Sequence, residues 1–321
     1  DRVVRWTAER LLADGPRLMP AYTVGGDPVP RERDVALPGF PGGRPIAGNK
    51  VVDQFQLDGF GECLELFAAA ARAGRLDGDA RRAATVAADA VAARWTEPDA
   101  GIWEIEDRRW THSRLICVAG LRAMAAHGGA SGRDADRWRD LAAAIERETA
   151  RTSVHDGRWA RAPDDSRVDA ALLLPIVRGG LPADDPRSQA TVDAVARRLS
   201  EDGYLYRFRH GDEPLGRAEG AFLLCGFVMA LAAHRRGDGA AAARWFERGR
   251  GACGPPRLFA EEWDVGQRQL RGNLPQAFVH ALLLECAHAL GGLRLPGGAD
   301  AGGGEPGGDG GVGQGQAAPA M

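Results

Sequence analysis

The sequence predicts an all-α fold, an (α/α)6 barrel in which outer helices sheathe a ring of inner ones. Two observations carry the prediction. Helices that are apolar nearly all round alternate with helices that keep one charged face, and the loops at the two ends of this alternation differ in character. A helix without a polar face has to be covered on most sides, whereas an amphipathic one can face water.

In chain order, a first amphipathic helix is expected near residues 2 to 13. A Pro/Gly-rich connection follows over 15 to 50 and includes PGFPGGRP; a loop that long in a compact domain tends to be functional. The apolar helices are 115 to 126 (LICVAGLRAMAA), 169 to 177 (DAALLLPIV), 219 to 233 (EGAFLLCGFVMALAA) and 274 to 290 (LPQAFVHALLLECAHAL), with 56 to 72 a milder case. Between them lie amphipathic helices at 78 to 95, 135 to 151, 186 to 200 and 238 to 250; in the second, Trp138, Leu141 and Ile145 share one side. These amount to about ten helices, and a closed ring of six pairs needs twelve, so the barrel is expected to lack its first helices. A solenoid of helix pairs is the competing arrangement, but no recurring period supports it. The barrel domain is therefore expected over 1 to 291. The Gly/Pro-rich stretch 292 to 321 has almost nothing to bury and is expected to be a disordered tail.

The 321 residues can bury a large core. A net charge of -3 and a pI near 6.2 give no electrostatic footprint for nucleic acid or an anionic membrane, so a small neutral partner fits better. Lys50 is the only lysine, and the excess of arginine, alanine and glycine reads as coding bias in a G+C-rich genome. Cys63, Cys117, Cys225, Cys253 and Cys286 are far apart, without CxxC spacing, which favours buried free thiols in a cytoplasmic protein. No apolar run reaches transmembrane length. The opening on Asp1, without methionine, points to a piece of a longer chain.

In the double ring, all loops from an outer to the next inner helix emerge at one end. These are 96 to 112, 152 to 168, 201 to 218 and 253 to 273, and they mix carboxylates with tryptophan, tyrosine and arginine, whereas the opposite loops are short and small. Sugars favour that mixture, because pyranose faces stack on aromatics while charged side chains hold the hydroxyls. Glu104 directly follows Trp103, with Trp110 close by; Glu261 and Glu262 precede Trp263 and Asp264. Glycoside hydrolysis needs a carboxylic acid to protonate the leaving oxygen and a carboxylate across the ring. The bland alternative is that such loop charges are simply solvated. His112 suits either an active-site donor or a capping or core role, and His280 suits a satisfied core histidine. The chain has no Gly-rich phosphate loop, no HExxH and no GxSxG, and no metal or organic cofactor is expected.

Six strings in order, DQFQLDGFGE (53 to 62), GIWE with WTHSR (101 to 104 and 110 to 114), YRF (206 to 208), EGAFLLC (219 to 225), LFAEEWD (258 to 264) and GNLPQAF (272 to 278), resemble glycoside hydrolase family 15. This is the glucoamylase, glucodextranase and trehalase family, and the resemblance covers residues 1 to about 291. It implies inverting hydrolysis of an α-glucosidic bond, with Glu104 as general acid and Glu261 as general base. It further implies that Arg207 holds sugar hydroxyls in the cleavage subsite, with Trp103, Trp110, Glu219 and Glu262 as neighbours, and that Asp58 either contacts sugar or braces the loops. For inversion the two carboxyls should stand roughly 6.5 to 9.5 Å apart.

The resemblance also implies an upstream β-sandwich and a first barrel segment with a WLRD-like motif, neither of which appears in these residues. Gly226, Phe227 and Val228 stand where relatives commonly have Ser and Trp, and GNLPQAFV replaces GNFPQAFS. Part of the pocket is thus expected upstream of Asp1. The expected partner is a small neutral oligosaccharide or disaccharide, starch-like or trehalose, with no nucleic acid and no membrane. The rival reading is a noncatalytic or truncated helical-barrel module that binds carbohydrate. A terpenoid cyclase would need aspartate-rich metal motifs that are absent.

Overall fold

The computed structural model describes residues 1–39, 43–129 and 131–291; the expected tail over 292 to 321 lies outside the described residues. Ten α-helices dominate the described residues. The outer ones are α1 (Arg2–Asp14), α3 (Gly78–Arg94), α5 (Gly132–Ser153), α7 (Pro186–Leu199) and α9 (Gly239–Arg250). The inner ones are α2 (Asp58–Arg72), α4 (Thr111–His127), α6 (Leu174–Val177), α8 (Leu223–Arg235) and α10 (Ala277–Ala289).

Each inner helix packs on the next to form one concave row, while α1 lies on α3 and α5 and α9 back α4 and α8. The helical double layer is that of an (α/α)6 barrel, with five inner–outer pairs among the described residues.

Most helix starts differ between the layers, with the outer α1 uncapped and the inner α10 capped by Gln276 as exceptions. Side chains of Asp77, Ser131, Asp185 and Asp238 cap α3, α5, α7 and α9 by accepting backbone N–H groups. By contrast, α2, α4 and α8 have no side-chain cap. Their N-terminal ends rise into the long loops, which satisfy the free donors in other ways.

Two glycines let α2 and α4 touch backbone to backbone. A Cβ on Gly120 would sit 2.4 Å from the Gly61 carbonyl oxygen, and one on Gly61 would sit 2.7 Å from that of Ile116. Around this crossing Phe60, Leu64, Phe67, Leu115, Ile116 and Leu121 are completely or almost completely buried.

Three differences from the sequence reading have physical causes. The expected helix over 169 to 177 splits into a 3-10 turn, Ala170–Leu173, and the short α6, because Asp169 caps Ala171 and Pro175 provides no N–H to a helix continuing from upstream. The helix expected from 219 begins only at Leu223, since Ala221 and Phe222 are claimed by strand pairing. Finally α10, apolar nearly all round, is not covered on most sides: Val279 and Cys286 are its buried residues, whereas Phe278 is 68% and Leu284 52% exposed. Its main inner-row neighbour is α8, and no helix among the described residues covers the opposite flank.

Short strands rigidify the loops. They are β1 (Arg33–Asp34) with β2 (Ile46–Ala47), β3 (Val154–His155) with β4 (Arg158–Trp159), β5 (Ser200–Glu201) with β6 (Tyr204–Leu205), and a sheet of β7 (Ala221–Phe222), β8 (Glu262–Asp264) and β9 (Gln269–Arg271). All five cysteines are free; Cys117, Cys225 and Cys286 are buried, Cys63 and Cys253 half-buried. Among the described residues no helix is long and apolar enough to cross a membrane.

Candidate active site

A cleft of about 770 Å³ runs down the concave face of the inner row. Glu104 and Glu261 line it together with Trp103, Arg207 and Asp58, so five of the residues singled out from sequence converge there. Its lining also includes Glu62 from α2, Arg178 after α6 and Glu285 from α10, with Arg178 donating to Glu285 at 2.5 Å.

The loop bearing Glu104 is anchored by a buried polar knot. Asp99, fully buried, accepts from Leu57 N (3.3 Å), Gly101 N (3.2 Å), Ser113 Oγ (2.7 Å) and Arg114 Nη1 (3.0 Å). Arg114 also donates to the carbonyls of Trp110 and Glu97. Burial pushes Asp99 towards its protonated form, and the Arg114 cation opposes that. Gly101 has φ +65°, and a Cβ there would strike the Trp110 ring at 2.6 Å, so only glycine passes this point.

Glu104 itself has φ 52°, a left-handed conformation rare for a residue with a side chain and one that tends to persist where function demands it. Lys50 Nζ donates to its carbonyl oxygen at 3.0 Å. Burial raises the Glu104 carboxyl above the usual carboxylate range, Lys50, Arg207 and Gln56 pull it back, and Glu32 adds to the rise. Trp103 meets Phe222 edge to face at 5.8 Å, lies under the Arg207 guanidinium at 5.6 Å, and shares a small cavity with Asp169.

Glu261 comes from the other side of the loop cluster. Its carbonyl accepts from Leu223 N and its own N–H donates to Asn273 O, so backbone bonds pin it between the start of α8 and the strand end after β9. Asn273 Nδ2 donates to its carboxylate at 3.1 Å. Gly272, at φ +79°, leaves room: a Cβ there would approach the Glu261 carboxylate to 3.1 Å.

Asp58, at the first turn of α2, is buried, its Oδ1 has no protein partner, and burial beside Asp99 and Glu62 pushes it up to about 8. Near neutral pH such a carboxyl keeps its proton and can donate.

The other sequence candidates lie behind the cleft. Glu219 grips Arg207 through two oxygens, at 3.3 Å and 3.1 Å from Nε, and lies 3.3 Å from His210 Nε2. Glu262 accepts Gly220 N at 2.8 Å and pairs with Arg271. Trp110 is buried, donates to Glu106 O and carries Arg161 over its ring, so it braces the loop from beneath. His112, buried and pushed down to about 3, faces a small cavity beside Trp103 and Asp169 rather than the cleft. His280 accepts from Phe259 N and meets Gln276 O at 2.8 Å, a satisfied core histidine.

Lys50, Phe222 and Asn273 also line the cleft without having been singled out as site residues. The signals were present: Lys50 is the lone lysine, and the other two fall inside the EGAF and GNLPQAF strings.

Comparison with known proteins agrees with this fold. The sequence pattern of glycosyl hydrolases family 15 matches residues 1–288. A trehalase of Mycolicibacterium smegmatis is 33% identical over 273 residues, which is 82% of this chain and 41% of the relative. The chain thus spans about two fifths of the length of that relative. In fold, it matches a glycosidase solved in complex with glucose (TM-score 0.69, 24% identity, 91% of this chain and 80% of that one). It also matches a bacterial glucoamylase complexed with acarbose (TM-score 0.67, 15% identity, 90% and 45%). With the family pattern running through both carboxylate loops, the chain belongs to glycosyl hydrolases family 15.

Proposed function

We propose that this chain carries the catalytic pair of an inverting α-glucoside hydrolase, with trehalose its foremost substrate. The observation that carries the reading is that Glu104 and Glu261 line one cleft from separate loops, the first partly desolvated and the second holding an amide donor. Glu104 is partly desolvated, which favours the protonated form a general acid needs. Glu261 faces the same cleft with an amide donor on its carboxylate, which suits a base that must stay ionised to activate water. Arg207, fixed by Glu219, and the protonated Asp58 supply hydrogen bonds to hydroxyls, and Trp103 offers an apolar edge. The trehalase relative favours trehalose. The five free thiols fit a cytoplasmic enzyme.

Proton NMR of the first turnovers tests this. Inversion at α,α-trehalose releases β-glucose from the attacked ring and α-glucose from the leaving one, in equal amounts. Release of α-glucose alone, or no glucose from trehalose, maltose or isomaltose, would refute the proposal.

Lys50 sets the alkaline side of the pH profile. A general acid loses its function as pH rises through its pKa, and a nearby cation lowers that pKa by favouring the carboxylate. In Lys50→Met the Glu104 carboxyl should therefore hold its proton to higher pH, and the alkaline limb of kcat/KM should move up. A limb that stays put or moves down would contradict this account of Lys50.

A further inference from the structure

Away from the cleft, a recess of about 260 Å³ is walled by five arginines, Arg161, Arg167, Arg197, Arg198 and Arg209, over two apolar side chains. They arrive from three places: the segment after β4, the last turn of α7 and the segment after β6. No carboxylate lines it.

Many arginines of this chain are neutralised locally, as in the pairs of Arg82 with Asp79, Arg187 with Asp185 and Arg250 with Glu247. Here the pattern breaks. Arg197 and Arg198 have no ion pair among the described residues, and Arg209 reaches only the carbonyls of Arg198 and Glu213, at 3.4 and 3.5 Å. Arg167 and Arg161 do face acids: Arg167 donates to Asp165, while Arg161 lies 3.7 Å from Asp165 and donates to Asp169 at 3.3 Å. The deepest of the five, Arg161, is 4% exposed, and its Nη2 has no protein partner. The α7 carbonyl end offsets part of the charge of Arg197 and Arg198. Even so, Arg198 adds to the burial that disfavours the charged form of neighbouring Arg158. A cluster of like charges held in one concavity, in a chain of net charge -3, calls for a mobile counter-charge.

We propose that this recess is a binding site for a phosphoryl-type oxyanion. Guanidinium forks match tetrahedral oxyanions through paired N–H donors, and the recess suits one or two phosphoryl groups rather than a polymer. The site would not be isolated from the cleft. Arg161 also binds Asp169, and both line one small cavity with Trp103, the residue preceding Glu104. An anion that draws Arg161 towards the recess loosens its hold on Asp169 and so reaches the Glu104 loop.

Titration calorimetry of the purified protein at low ionic strength, with inorganic phosphate in one arm and a phosphorylated hexose in the other, tests the site without requiring turnover. Its failure is therefore distinct from failure of the proposed hydrolysis. Saturable binding is expected, weakened by added sodium chloride. Replacing Arg197, Arg198 and Arg209 together by Ser should weaken it by at least about tenfold, since each charge-assisted bond lost costs about that factor. These side chains are exposed and outside the cleft, so thermal stability and basal activity should hold. Tighter binding of the hexose ester would assign the phosphoryl group to a sugar phosphate, and tighter binding of the inorganic ion to free phosphate. No saturable binding in either arm, or undiminished binding to the triple variant, overturns the proposal.

Discussion

Glu104→Gln should lower kcat/KM on trehalose by about 10²- to 10⁴-fold, the range general acid catalysis supplies, with little change in the circular dichroism spectrum. The amide preserves size but has no proton to give an alkoxide leaving oxygen. The loss should depend on the leaving group: α-glucosyl fluoride, whose fluoride departs without full protonation, should be hydrolysed by this variant far better than trehalose. Glu261→Gln should be impaired on both substrates, because water still lacks its base. This asymmetry separates the roles, whereas an equal loss on both substrates in both variants would show only that the cleft needs two carboxylates. The left-handed φ of Glu104 sharpens the test, since Gln keeps the same backbone demand and any difference reports on the proton rather than the turn.

The second large effect is on stability. Arg114→Met should destabilise the fold by about 3–5 kcal/mol, the cost of stranding one member of a buried ion pair. Arg114 and Asp99 are 5% and 0% exposed in their side chains, so neither can turn to solvent. The loss leaves Asp99 without its cation and two carbonyls, of Trp110 and Glu97, without their donor. Thermal unfolding should report a fall in Tm of roughly 6–20 °C for a chain of this size. Adding Asp99→Asn should recover part of it, because the amide removes the unpaired charge while still accepting from Ser113 and the backbone. A fall under about 1 kcal/mol in the single variant would mean that the pair contributes no more than an exposed one. Asp99 also holds Gly101 N, so the single variant should lose activity even at temperatures where it remains folded.

The outer helices were legible because their charged faces repeat with the helical period and their caps are written as Asp or Ser just before the first turn, as at Asp77 and Ser131. The inner helices were legible only as apolar runs, which do not reveal where a run leaves helix. So Pro175 and the pairing of Ala221 with Trp263 shortened two of them. Strands of two or three residues carry no usable periodicity, and none could be read. At the site, motif order brought Glu104, Glu261, Trp103, Arg207 and Asp58 to one cleft, but nearness in sequence misled for Trp110. It lies at the start of an inner helix, where side chains turn to the core, and it packs beneath Gly101 instead of facing the cleft. Asp99, the acceptor on which the loop hangs, was not singled out, because a lone aspartate before AGIWE gives no sign of the four donors that gather round it.

The left-handed backbone at Glu104 sets durability against turnover at a single position. A glycine there would adopt φ 52° freely and relieve the local strain, so variants selected only for heat resistance have reason to discard the carboxylate. On the proposed role of Glu104, a screen that scores unfolding alone would rank loss of this glutamate as an improvement although it removes the general acid.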